Sequence, residues 1–123
     1  VEIVADSSAD ASVNAWLNKV ANFEAVQAPV EKFLKEFIDG GKQADTLIID
    51  PPRDGMHPSA PPNILAFWAR EIIYVSCNPS TLVRDLEVFL ADGKYRLTDI
   101  VPVDMFPHTH HIETIARLEL IAK

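Results

Sequence analysis

The stretch Ile72-Ile73-Tyr74-Val75-Ser76-Cys77-Asn78-Pro79-Ser80-Thr81 constrains this chain more than any other. Its first four residues, apolar and mostly β-branched or aromatic, predict a short buried strand. Asn78 is a good helix N-cap, and Pro79 suits the first helical position, where a missing N–H is no loss. The only cysteine therefore falls between the carboxyl end of a strand and the amino end of a helix. The helix dipole there favours a thiolate, and in open α/β sheets the same rim is where ligands bind. Cys77 is the candidate reaction centre.

The flanking sequence alternates helix and strand. A helix capped by Asp6 or Ser7 places Ala9, Val13, Trp16, Leu17 and Val20 on one face and ends at Asn22. Residues 23–27 alternate as a short strand. Pro29 opens a second helix with Val30, Phe33, Leu34, Phe37 and Ile38 at helical spacing, stopped by Gly40-Gly41. Residues 45–50 read as a buried strand running into Pro51-Pro52-Arg53-Asp54-Gly55, which must be a loop. The proline-rich residues 57–62 delay the next helix to about Asn63, with Ile64, Leu65 and Trp68. After Pro79 a helix carries Leu82, Leu86, Phe89 and Leu90 on one face and ends at Gly93. Tyr95, Leu97, Val101 and Val103 share a face of a long strand that Pro102 marks as kinked or at an edge. The loop from Met105 to Ile112 leads to a last strand, in which Ala116, Leu118 and Leu120 alternate with Arg117 and Glu119. This order predicts an α/β domain with a mostly parallel sheet finished by an antiparallel hairpin.

Length bounds the chain to one domain. Hydrophobic residues make up 48% and charged ones 24%, a soluble globular balance. No apolar run approaches the ~20 residues that cross a bilayer, and nothing resembles a signal peptide. A single cysteine excludes an internal disulfide and a cysteine-based zinc cluster, and fits a reducing, cytoplasmic setting. Net charge of −7 argues against a broad nucleic-acid-binding surface. Val1-Glu2-Ile3-Val4 reads as the end of a strand with nothing leading into it, so the chain is expected to be a piece of a longer protein.

Three loops that follow strands are chemically unusual: Asp50-Pro51-Pro52-Arg53, Ser76-Cys77-Asn78-Pro79, and residues 106–113. Parallel neighbouring strands would bring Asp50 and Cys77 to one rim, and the third loop can fold over it. A thiol, a guanidinium and two carboxylates, Asp50 and Glu113, would converge, a set suited to nucleophilic catalysis assisted by a general base. Each residue also has a plainer reading: Cys77 as a small buried hydrophobe, Asp50 as a turn brace, Arg53 as a surface ion pair, Glu113 as a solvated charge. His108, His110 and His111 with Glu113 have metal-binding chemistry, but His110 and His111 would point to opposite faces of an extended chain.

Together the loops resemble those of the RNA 5-methyluridine (uracil-C5) methyltransferases, which use S-adenosylmethionine. The matching residues are Asp50-Pro51-Pro52-Arg53 with Gly55; Ser76-Cys77-Asn78-Pro79 with Thr81, Arg84 and Asp85; and Phe106-Pro107, Thr109 and His111-Ile112-Glu113. Amino-group methyltransferases with a similar Asp-Pro-Pro carry an aromatic residue where Arg53 stands, and RNA 5-methylcytosine enzymes generally use two cysteines. The resemblance implies a Rossmann-like class I methyltransferase fold, of which residues 1–123 form the carboxyl-terminal part of the catalytic domain, and an RNA substrate, tRNA or rRNA. Cys77 would add to C6 of the target uracil and Glu113 would remove the C5 proton. Glu2 would bind the cofactor ribose, Asp50 would line the cofactor and substrate pocket, and Arg53, Asn78 and Thr109 would face the substrate; no metal is implied. With so acidic a chain, another segment would supply most phosphate contacts.

Two departures from the family pattern carry structural expectations. The glycine-rich strand that cradles the cofactor would precede Val1 and lie between the strands ending at Glu2 and Asp50. Its absence implies a gap, a rearranged sheet, or a partner in that place, including self-association of the chain. Gln27-Ala28-Pro29 also replaces the usual acidic residue that contacts adenine. The rival reading is a catalytically incompetent module that serves only folding or interaction.

Overall fold

The computed structural model describes residues 1–121. Helix α1 spans Ala5–Leu17 and α2 Val30–Asp39; strand β1 (Thr46–Ile49) leads to α3 (Ala60–Leu65). Strand β2 (Glu71–Ser76) is followed by α4 (Pro79–Leu90), β3 (Tyr95–Val103) and β4 (Glu113–Leu120). No described helix is long and apolar enough to cross a membrane. Asn78 caps α4 as expected, its side chain accepting from the Ser80 N–H at 3.1 Å. Helix α3 starts at Ala60 rather than near Asn63, because Pro61 and Pro62 occupy its first turn, where no intrahelical N–H is needed.

The four strands form one sheet in the order β1-β2-β4-β3. Only β1 and β2 pair in parallel; β2–β4 and β4–β3 are both antiparallel. The expectation of a mostly parallel sheet therefore does not hold. The two last strands form the expected hairpin, with β4 between β3 and β2 and β3 at the edge. The reason is burial. Thr114, Ala116 and Leu118 on β4 are buried, whereas β3 carries exposed Ile100 and Val101 and the edge-tolerant Pro102.

Helices α2, α3 and α4 cover one face of this sheet. Leu34, Ile64, Leu82, Leu86 and Phe89 meet Ile72, Tyr74, Ala116 and Leu118 there, and Phe37 stacks on Phe67 with ring centroids 5.1 Å apart. The amino-terminal part stands apart from this core. Residues 23–27 do not make a strand; Gln27 alone forms a parallel bridge with Glu2, outside the four-stranded sheet that ends at β1. Among the described residues that bridge is not paired with the four-stranded sheet. Helix α1 ends at Leu17, before the expected Asn22, and its apolar side chains stay exposed, Trp16 at 76%. Periodicity predicts such a face but not what covers it.

The core also holds a charge. Asp85, 3% exposed, accepts from the Tyr74 hydroxyl at 2.7 Å and the Met56 N–H at 3.0 Å. Its other oxygen takes Nε and Nη2 of Arg84 at 2.9 and 2.8 Å. Burial and this carboxylate push the Tyr74 phenol well above its usual pKa. Gly55 (φ +80°) packs directly on the pair: an added Cβ would collide with Arg84 Nη2 and lie 2.9 Å from Asp85 Oδ2. Asp85→Ala strands two buried donors and is expected to lower stability by about 2–4 kcal/mol in urea denaturation. Gly55→Ala, which must strain its left-handed backbone, is expected to cost about 1–3 kcal/mol.

Candidate active site

The rim of the sheet is built by three loops tied to one another. Strand β2 ends at Ser76, whose hydroxyl accepts from the Asn78 N–H at 3.1 Å and donates to the Asn78 carbonyl at 3.0 Å. This tight turn sets Cys77, half-buried and unoxidised, between strand and helix. The Asn78 amide donates to the Arg53 carbonyl at 3.2 Å while its oxygen caps α4, and the Thr81 hydroxyl reaches the same carbonyl at 3.3 Å. Arg84 Nη2 adds bonds to the carbonyls of Asp54 and Met56. The loop after β1 is therefore clamped onto the first turns of α4.

Strand β4 brings the third loop in. Ser76 pairs with Thr114, the last pair of that ladder, so Cys77 leaves β2 at the same end at which Glu113 opens β4. Within the loop, the Thr109 hydroxyl donates to the Phe106 carbonyl at 2.8 Å and accepts from the His111 N–H at 3.1 Å. Arg53 Nη2 lies 3.2 Å from His111 Nδ1. A guanidinium only donates, so Nδ1 is the acceptor and a neutral His111 carries its proton on Nε2. Partial burial, His110 and Arg53 together hold the His111 imidazolium below its ordinary pKa of 6.5.

The residues singled out in the sequence are thus distributed unevenly. Cys77, Glu113, Arg53 and Asn78 meet at one rim, and Asp50 follows β1 at the same end as an exposed carboxylate. The side chains of Asn78 and Thr109 are engaged within the scaffold, so their hydrogen-bonding capacity shapes the loops. Glu2 sits on the separate bridge, where its carboxylate accepts the Val4 N–H at 2.8 Å. His110 and His111 do not diverge, because their segment is not extended; their rings lie 4.2 Å apart. Among the described residues no group of three or more His, Cys, Asp or Glu side chains is arranged to hold a metal ion. The His111–Arg53 contact and the Tyr74–Asp85 pair were not legible as site features; the only hint was their position in or beside the three loop blocks.

A concavity of about 520 Å³ lies at the other end of the strands, lined by Asp45, Thr46, Arg70, Glu71, Arg117 and Glu119. Within it Arg117 pairs with Glu71 and with Glu119 at 3.0 Å. The chemistry-bearing groups are on the opposite, open rim.

A family profile described as tRNA (Uracil-5-)-methyltransferase matches residues 1–120. An uncharacterized RNA methyltransferase of Bacteroides thetaiotaomicron is 45% identical over 121 residues, covering 98% of this chain and 26% of the relative. One of Halalkalibacterium halodurans is 46% identical over 120 residues, with the same shares covered. The chain thus spans 26% of the length of these relatives. Among solved structures, the Pyrococcus abyssi tRNA (uracil-54, C5)-methyltransferase in complex with S-adenosyl-L-homocysteine superposes with a TM-score of 0.76 at 33% identity. That match covers 94% of this chain and 27% of the other.

The His111–Arg53 contact makes the rim testable by pH. Nuclear magnetic resonance titration of the His111 ring is expected to give a midpoint below 6.5, moving upward in Arg53→Ala as one repelling charge is removed. Because the unfolded chain takes up this proton first, His111 erodes stability as pH falls through the ordinary histidine range, and contributes nothing to pH dependence well above it.

Proposed function

The chain belongs to the tRNA (uracil-5-)-methyltransferase family, and from that premise we propose that it is the carboxyl-terminal part of a catalytic domain that methylates C5 of a uridine in RNA. The observation that supports this reading is the clamp that ties the Arg53 loop to the Cys77 turn at the end of β2, beside the strand that Glu113 opens. The substrate would be a tRNA or rRNA, and the setting a reducing cytoplasm in which a lone thiol stays free.

C5 of uracil is a poor nucleophile until the 5,6 double bond is saturated. Cys77 Sγ, as thiolate, bonds to C6, and the displaced π electrons move onto C5 and O4. C5 then takes up the methyl group. Glu113, as carboxylate, removes the proton left on C5. The freed electron pair rebuilds the 5,6 double bond and expels the Cys77 thiolate, so the protein returns to its starting state with one proton on Glu113 to release. S-adenosylmethionine, when bound, supplies the methyl group as an electrophile on sulfonium sulfur. The donor set suits such a ligand in part: Glu2 offers an exposed carboxylate to a ribose diol, and Asp50 offers another at the rim, each able to accept two donors. Arg53, held through its carbonyl, directs its guanidinium across the rim to His111.

In the full-length protein, RNA containing 5-fluorouridine is expected to yield a denaturation-resistant adduct through Cys77, because fluorine at C5 blocks the proton removal that releases the enzyme. Cys77→Ala is expected to abolish the adduct; an equal yield from that variant would remove Cys77 from the reaction. Glu113→Gln is expected to slow turnover on ordinary RNA by roughly 10²–10⁴-fold while the adduct still forms. Loss of adduct in Glu113→Gln, with turnover falling in step, would place the defect before proton removal and overturn that role.

A further inference from the structure

The loop that delivers Glu113 carries a second feature that the reaction does not use. Phe106, His110 and His111 gather three rings on the surface beside the rim. The His110 and His111 ring centroids are 4.2 Å apart, and Phe106 meets His111 edge-on at 6.5 Å. Phe106 is 49% exposed and His110 is exposed, so the outer surfaces of this cluster are open. An exposed phenyl ring beside two imidazoles is poorly explained by packing, since the cluster contributes nothing to the buried core.

The cluster is also held in shape. The Thr109 hydroxyl bridges the Phe106 carbonyl and the His111 N–H, the Thr109 N–H adds a bond to the same carbonyl at 3.1 Å, and Arg53 pins His111 from the opposite loop. A pre-shaped surface loses little freedom when something settles on it. Three of the chain's four histidines fall in residues 108–111, and the Arg53 guanidinium lies against one of them. Flat rings next to a guanidinium suit an unpaired nucleobase, which stacks on aromatic faces without needing a cationic surface.

We propose that Phe106, His110 and His111, braced by Arg53, form a stacking site for an unpaired base adjoining the target uridine. The proposal rests on the reading of the site as one acting on RNA. With Glu113 only two residues beyond His111, a base seated on the rings orients the neighbouring uracil over Cys77. These residues position the substrate and take no part in bond making.

The test uses the full-length protein and a single-stranded RNA hexamer containing one uridine, intact or with an abasic ribose on either side of it. Wild type is expected to lose about fivefold or more in affinity when one neighbouring base is removed. His110→Ala and Phe106→Ala are expected to bind the intact hexamer about as weakly as wild type binds the abasic one, and to be insensitive to the removal. His110→Phe, which keeps a ring, is expected to restore the sensitivity. Undiminished sensitivity in both alanine variants, or none in wild type, overturns the stacking site. The same hexamer with 5-fluorouridine separates the two readings: adduct formation without base sensitivity discards the stacking site alone. Base-sensitive binding that depends on the rings, without adduct, discards the methylation chemistry alone.

Discussion

The buried Asp85 carboxylate is the constraint on which the rim depends. A charge at 3% exposure is tolerable only if every lone pair that faces the interior is matched, and here each oxygen is claimed: one by Tyr74 and Met56, the other by Arg84. The contacts reach in three directions, to the central strand β2, to the loop after β1, and along α4. Arg84 passes the constraint outward to the carbonyls of Asp54 and Met56, and the absence of a side chain at Gly55 lets the loop close on it. With Asn78 and Thr81 gripping the Arg53 carbonyl, α4 becomes the common anchor of the Cys77 turn and the Arg53 loop. Their spacing is set by a buried charge network rather than by the loops themselves.

The second constraint is topological. Had β4 lain outside β3, Glu113 would stand two strands away from Cys77, at least ~9 Å across the sheet given the usual spacing of neighbouring strands. Slotted between β2 and β3, β4 opens at Glu113 beside the end of β2 from which Cys77 follows. Sequence order cannot reveal which strand of a hairpin faces the older sheet, because both orders satisfy the same turn and the same alternation. The burial of Thr114, Ala116 and Leu118 against the exposure of Ile100 and Val101 decides it. That decision belongs to tertiary packing. Strand β2, the cap at Asn78 and the helical face of α4 were legible because local chemistry alone specifies them. Pro102 marked its strand as kinked or at an edge, and β3 lies at the edge.

Besides the parallel content of the sheet and the start of α3, two expectations fail at the amino-terminal end, and for one cause. Residues 23–27 have strand-like alternation, but a strand needs a partner along its length, and only Gln27 finds one in Glu2. Helix α1 has an apolar side, yet Val13, Trp16 and Leu17 meet no core, and Ile48 on the outermost strand is 70% exposed. Both features are local patterns whose fulfilment is non-local. The long-range contacts of α2, α3 and α4 are complete within the chain, and that part folds as its pattern says. The site inherits the same division: the thiol, Glu113 and the Arg53 loop are assembled on the completed side, whereas Glu2 sits on the isolated bridge.

The acidity of the chain bears directly on the stacking site proposed for this rim. Phosphate recognition scales with the number of cations offered, and a net charge of −7 leaves few to offer. Stacking escapes that limit, since its strength lies in ring overlap and the exclusion of water rather than in charge. Desolvation first, then His110 and Arg53, hold His111 below its ordinary pKa, and a neutral ring that accepts a hydrogen bond from the guanidinium fixes both groups. A protonated His111 would lose that bond, loosen Arg53 and disturb the edge-on contact with Phe106. The rim therefore gains order from keeping its histidine uncharged, and an ordered array of rings is what an acidic surface can present to a base whose backbone it does not attract.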